Sequence, residues 1–142
     1  MNPPFLSEVF SHIDEAKVVR TCRDLIRIPS ESGEEFQKML YIEKKLKEIG
    51  LEVEVQETPH RNRPNVIGRL NGKGGGKVML FHNHTDTLPP TMAQNPVHAF
   101  CGELIDNKIY GVGAGDQMGN IAAFIGALEA IKNSGVKLRG DL

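Results

Sequence analysis

Apolar positions along the chain recur at two spacings, and each change of spacing marks a change of element. Val18, Cys22 and Leu25, flanked by Val19 and Ile26, fall at helical intervals and predict a helix over 13–27. Ser11-His12-Ile13-Asp14 has capping-box spacing before it, and Ile28-Pro29-Ser30 ends it. Ser32-Gly33-Glu34-Glu35 repeats the capping signature, after which Phe36, Met39, Ile42, Leu46 and Ile49 trace one apolar stripe as far as Gly50, a helix stop.

The period then drops to two. Leu51, Val53 and Val55 alternate with Glu52, Glu54 and Gln56, which predicts a strand with one wet face. After a polar loop, Asn65 to Leu70 and Lys77 to Asn83 read as two strands joined across Asn71-Gly72-Lys73-Gly74-Gly75-Gly76. The unbroken apolar run Val78 to Phe81 predicts a central strand buried on both faces. Glu103-Leu104-Ile105 and Lys108-Ile109-Tyr110 flank Asp106-Asn107 as a small hairpin. A third helix is expected just after Asp116, with Met118, Ile121, Ile125 and Leu128 on one face, Phe124 and Ile131 beside it, and a stop at Asn133-Ser134-Gly135. Helices alternating with strands predict an α/β fold, a mixed sheet sandwiched by helices with its site at strand ends.

Composition narrows the function. An apolar content of 39% over 142 residues suits one domain with a real core. Seventeen basic and eighteen acidic side chains give a net charge of -1, which offers no field to draw nucleic acid or an anionic membrane. Small-molecule or peptide partners fit better. The start Met1-Asn2-Pro3-Pro4-Phe5 has neither a basic nor an apolar leader pattern, and no apolar run approaches the roughly 18 residues of a membrane span, so a cytoplasmic protein is expected. Cys22 and Cys101 form no Cys-x-x-Cys pair and read as reduced, packing cysteines.

Two segments could carry chemistry. His84 closes the predicted central strand, where its backbone is fixed and its ring can project into a cleft toward an ion such as Zn²⁺. Asp86, two residues on, would share its face in a continued strand and could hold the other imidazole nitrogen. The plainer alternative is a hydrogen-bonded histidine and a turn aspartate before Pro89-Pro90. Asp116 ends Gly111-Val112-Gly113-Ala114-Gly115, whose glycines would let the backbone approach a ligand while a carboxylate bridges two cations; it is equally placed as a helix N-cap.

Other motifs fail. The glycines at 111–115 set Asp116 where a dinucleotide fingerprint wants its third glycine, and Gly76-Lys77 is followed by Val78 rather than the Ser/Thr of a phosphate-binding loop. His12, His60 and His98 have no partner at ligand spacing, whereas His82 could point the same way as His84 and line the site.

In one register from Asp24 to Leu142, through Ile28-Pro29-Ser30, Gly33-Glu34-Glu35, Arg63-Pro64-Asn65-Val66-Ile67 and the segments ending at Pro90 and Asp116, the chain resembles a metallopeptidase family. That family includes acetylornithine deacetylase, succinyl-diaminopimelate desuccinylase, aminoacylase and carboxypeptidase G-type enzymes. The resemblance implies a zinc-exopeptidase-like catalytic domain with a dinuclear zinc or cobalt site that hydrolyses an amide bond next to a carboxylate. It implies His84 as a ligand of one metal, Asp116 as the carboxylate bridging both, and Asp86 as the catalytic partner that orients His84. The substrate would be a small N-acyl-amino acid or a peptide, and the complete protein a candidate homodimer.

Some positions depart from the family pattern. Val112 stands in place of a common arginine, Met118-Gly119-Asn120 in place of lysine-glycine-glycine, and Asn95 and Ala99-Phe100 in place of a tryptophan and a Pro-Phe pair, which leaves the subfamily and substrate open. In the family a Glu-Glu pair and a lid or dimerisation domain lie beyond the position of Leu142. Residues 1–142 are therefore expected to be the N-terminal portion of one catalytic domain, inactive alone, with Val78 to Phe81 and Ile121 to Leu128 partly uncovered. The alternatives are a non-enzymatic binding module on the same fold and a member of another two-metal aminopeptidase family.

Overall fold

The computed structural model describes residues 4–93 and 98–142, so Asn95 and the first three residues lie outside the described part. After a short exposed helix α1 (Pro4–Ser11), three helices supply the core: α2 (Glu15–Arg27), α3 (Phe36–Ile49) and α4 (Gly119–Ser134). Cys22, Leu25 and Ile26 of α2 meet Met39, Ile42 and Leu46 of α3 and Ile121, Ala122 and Ile125 of α4, with Leu51 and Met118 closing the cluster. These are the positions that the helical spacing marks as apolar.

The first helix start differs from expectation. α1 ends at Ser11, whose hydroxyl turns back to donate to the Glu8 carbonyl at 2.7 Å. Asp14 caps α2 instead, accepting from the Lys17 N–H at 2.9 Å. The second capping signature also does other work. No side-chain cap closes α3, which Glu35 precedes, and the Ser32 hydroxyl donates across to Asp86 Oδ2 at 2.6 Å. Both long helices end as the sequence indicates, with Gly50 and Gly135 left-handed after α3 and α4.

Two antiparallel pairs form. β1 (Glu52–Gln56) pairs with β2 (Asn65–Arg69), Val53 opposite Gly68, and β3 (Glu103–Ile105) pairs with β4 (Lys108–Tyr110). Asp106 and Asn107 turn the second hairpin with φ of 49° and 59°, the paired positive angles that a two-residue hairpin demands. Parallel pairing is confined to a bridge between Glu31 and Thr87 among the described residues, so the α/β class holds with both pairing senses present.

Val78 to Phe81 is the main correction. The segment belongs to no strand, and Leu80 is 80% exposed rather than buried on both faces. Burial on both faces requires strands on either side and packed layers over both faces of the sheet. Here Met79 N–H reaches the Asp141 carbonyl at 3.0 Å on one side, and among the described residues no strand lies on the other. Phe81 still finds cover, stacking on Phe124 of α4 with ring centroids 4.4 Å apart. The α4 face fares better than expected, since Ile121 and Ile125 are buried against α2 and α3.

Both cysteines are free, Cys22 buried and Cys101 half-buried. No helix among the described residues is long and apolar enough to cross a membrane.

Candidate metal centre

Three connections converge on His84. The link between α2 and α3 runs beside residues 85–87, with Ser30 Oγ donating to the Thr85 carbonyl at 2.7 Å and Thr87 N–H donating to the Ser30 carbonyl at 2.8 Å. From α3, Met39 Sδ accepts the Thr85 hydroxyl at 3.3 Å. The residues flanking His84 are thus held by hydrogen bonds although no sheet ladder holds them.

The segment before α4 brings in Asp116. Gly113, left-handed at φ 80°, opens a wide turn over Ala114–Met118, which Met118 N–H closes onto the Gly113 carbonyl at 2.9 Å. Gly111, at φ 147°, packs so close to α2 that a Cβ would stand 2.3 Å from Ile26 Cγ2. Gly115 has no such need: its φ is not left-handed and a Cβ there would meet nothing. Asp116 itself adopts φ −136° and ψ 87°, outside the helical region, and the Asp116–Gln117 peptide bond is cis. α4 begins at Gly119 with Met118 in the cap position, so Asp116 is not its N-cap. Its carboxylate stands 81% exposed and turns toward His84.

His84 lies between two carboxylates. Its Nε2 is 3.1 Å from Asp116 Oδ1, and its Nδ1 is 3.2 Å from Asp86 Oδ1 and 3.3 Å from the Asp86 carbonyl. The Ser32 hydroxyl bond, followed by the charge of His84 and working against partial burial, holds the Asp86 carboxyl below its ordinary value. The chain of contacts reads Ser32, Asp86, His84, Asp116.

The donor set fits a hydrolytic metal ion. Two ligands of a tetrahedral zinc at its usual bond lengths lie roughly 3.3 Å apart, and the Nε2 to Oδ1 separation of 3.1 Å is close to that. The opposite ring nitrogen is tied to a carboxylate, the usual outer partner of a metal-binding histidine. Among the described residues no group of three or more His, Cys, Asp and Glu is placed to hold a metal ion.

His82 is exposed and does not line the cavity beside His84. That cavity, of ≈ 250 Å³, is lined instead by His60, together with Thr58, Arg63, Asn65, Glu35 and Asp86. Arg63 pairs with the buried Glu35 at 2.9 Å, while Glu35 Oε2 has no hydrogen-bond partner among the described residues. Ser32, Glu35 and Arg63 all stand in segments that the sequence marks out, without a sign of their shared destination. His60 gave no sequence signal. Lys38 did give one: it precedes Ile42 by four and Leu46 by eight, which puts it on the buried stripe of α3.

Residues 80–142, which include His84 and Asp116, match the model of Peptidase family M20/M25/M40. A succinyl-diaminopimelate desuccinylase of Gluconacetobacter diazotrophicus is 37% identical over 123 residues, 84% of this chain and 31% of that protein. One from Methylorubrum populi is 35% identical over 105 residues, 72% of this chain and 27% of that protein. The chain thus spans about a third or less of the length of these curated relatives. The crystal structure of a tripeptidase from Staphylococcus aureus superposes with a TM-score of 0.68 at 22% identity, covering 92% of this chain and 35% of that one, which shows the shared fold.

Proposed function

The chain belongs to Peptidase family M20/M25/M40, and from that premise we propose that it forms the metal-binding N-terminal part of a hydrolase acting on an amide or peptide bond next to a carboxylate. The observation that carries this reading is the approach of His84 Nε2 to Asp116 Oδ1 at 3.1 Å, with Asp86 behind the opposite nitrogen. Sequence relatives that are desuccinylases favour an N-acyl-amino acid as substrate, N-succinyl compounds first. The metal is zinc, with cobalt as a working substitute, and two ions complete the site.

The roles follow from the atoms. Asp86 accepts the Nδ1–H of His84, which fixes the ring and leaves the Nε2 lone pair for an ion. Ser32 holds the second oxygen of Asp86, so the carboxylate stays ionised and cannot swing away from the ring. Asp116 offers two carboxylate oxygens on a turn outside the helix, which lets it serve two ions while the Gly113 turn fixes its backbone. Bound ions of this kind polarise a substrate carbonyl and lower the pKa of water. His84 and Asp116 position that chemistry, and residues beyond Leu142 are proposed to complete the ligands and to supply the general base. On this reading the 142-residue chain is inactive by itself.

The test compares this chain with a version extended past Leu142 to the length of its relatives, measuring bound metal and turnover of N-succinyl, N-acetyl and dipeptide substrates. Two metals and turnover in the extended form alone are expected. A folded, extended protein that binds no zinc and hydrolyses none of the substrates would remove the enzymatic reading and leave a binding module.

A further inference from the structure

Lys38 is the largest fully buried side chain of the described residues, at 0% exposure. Its ammonium has a thioether for company, donating to Met118 Sδ at 3.3 Å, which is a weak acceptor. Isolating an ammonium among apolar groups is destabilising, and an apolar side chain of the same volume is often the more stable choice. Packing therefore gives no reason for a lysine at this position.

Its surroundings give one. Lys38 and Met39 are successive residues of α3, and each touches one of the two segments that present the candidate ligands. Met39 Sδ takes the hydroxyl of Thr85, between His84 and Asp86, and Lys38 reaches Met118, at the end of the turn that carries Asp116. The Asp86 carboxylate is the charge that acts on Lys38. From within the core, one turn of α3 thus grips both sides of the His84–Asp116 pair.

We propose that Lys38 is a positioning residue of the metal site, its buried ammonium bracing the Met118 turn and the Asp86 segment so that His84 and Asp116 face one another. The proposal rests on the reading of His84 and Asp116 as ligands. Lys38 touches neither candidate ligand, and its effect passes through Met118 and Asp86. The residue is destabilising where it sits and is offset by the order it imposes on the site.

Lys38→Met preserves length and apolar volume while removing the charge. Two readouts are taken on wild type and variant in the chain extended past Leu142: the His84 ring resonances in the metal-free protein, and the affinity for Zn²⁺ added alone. The variant is expected to melt at a higher temperature than wild type, to show shifted and broadened His84 signals, and to bind Zn²⁺ 10- to 100-fold more weakly. Unchanged His84 signals with wild-type Zn²⁺ affinity overturn the proposal whatever the melting temperature. If Lys38→Met melts lower than wild type, Lys38→Arg decides: recovered His84 signals support a bracing charge, and their absence overturns it. Should wild type itself bind no Zn²⁺, the ligand reading fails, while the metal-free His84 signals still judge Lys38.

Discussion

His84 and Asp116, 32 residues apart in the chain, meet at 3.1 Å with the imidazole of one facing the carboxylate of the other. Neither is held by a sheet. His84 is fixed by the Ser30 and Met39 contacts to its neighbour Thr85, and Asp116 by the turn from Gly113 to Met118.

Removing either candidate ligand is expected to weaken zinc binding more than altering the residue behind it. His84→Ala and Asp116→Ala, made in a chain extended past Leu142, each lose most bound metal and hydrolysis. Asp86→Asn retains more metal, with affinity reduced about 10- to 100-fold, as expected of an outer partner. Equal metal content in wild type and all three variants, measured by elemental analysis, would count against the assignments.

Ser32→Ala is expected to release Asp86. The Ser32 bond is the leading cause of the lowered Asp86 pKa, so stability from this group is present above its ordinary value of 3.8 and is lost as pH falls through the lower folded value. Without Ser32 the Asp86 carboxyl titrates at higher pH, and stability at neutral pH drops by about 1 kcal/mol, the low end for a charged hydrogen bond open to solvent. Carbon-detected titration of Asp86 in the two proteins checks the direction.

Lys38 gives stability an alkaline dependence of its own. Burial lowers its pKa from 10.5 to about 8, against the opposing pull of Asp86. Between these values the unfolded chain holds more protons than the folded one, so this group makes stability rise with pH, by up to about 3 kcal/mol. Cys22 and Tyr41, whose pKa values are raised foremost by burial, act oppositely above 9.0 and 10.0, where the unfolded groups lose protons first. Denaturant midpoints of wild type minus Lys38→Met isolate the lysine: the stability gap favouring Met at pH 7 should narrow toward pH 10.

The uncovered run at Val78 to Leu80 is expected to make the 142-residue chain self-associate. Its exposed apolar residues and unpaired edge offer a strand for another copy to add to. Val78→Lys with Leu80→Lys should reduce the weight-average mass found by sedimentation at high concentration. A chain that is monomeric at every concentration would contradict this expectation.

The hairpin offers a local check. Asn107 holds φ of 59°, which a β-branched residue adopts only under strain, so Asn107→Val should lower stability by roughly 1 to 2 kcal/mol in thermal unfolding.

What the sequence by itself determined are the features that depend on neighbours close in the chain. The apolar spacing of α2, α3 and α4 selects the buried faces, Gly50 and Gly135 stop helices because they adopt the left-handed conformation cheaply, and Asp106-Asn107 turns a hairpin for a related reason. His84, Asp86 and Asp116 stand out because chain exits, glycines and carboxylates fall together there, and the family pattern adds their order. Tertiary structure decided the rest. A run such as Val78 to Phe81 is buried only if other strands flank it and other elements cover its faces, and apolar character cannot specify whether they do. Ser32 has the spacing of a helix cap, yet its oxygen accepts no helix N–H, and its hydroxyl donates instead to a carboxylate 54 residues away. Lys38 carries the period of a buried position and the chemistry of an exposed one, and only the packing of α3 against the Met118 turn settles which prevails.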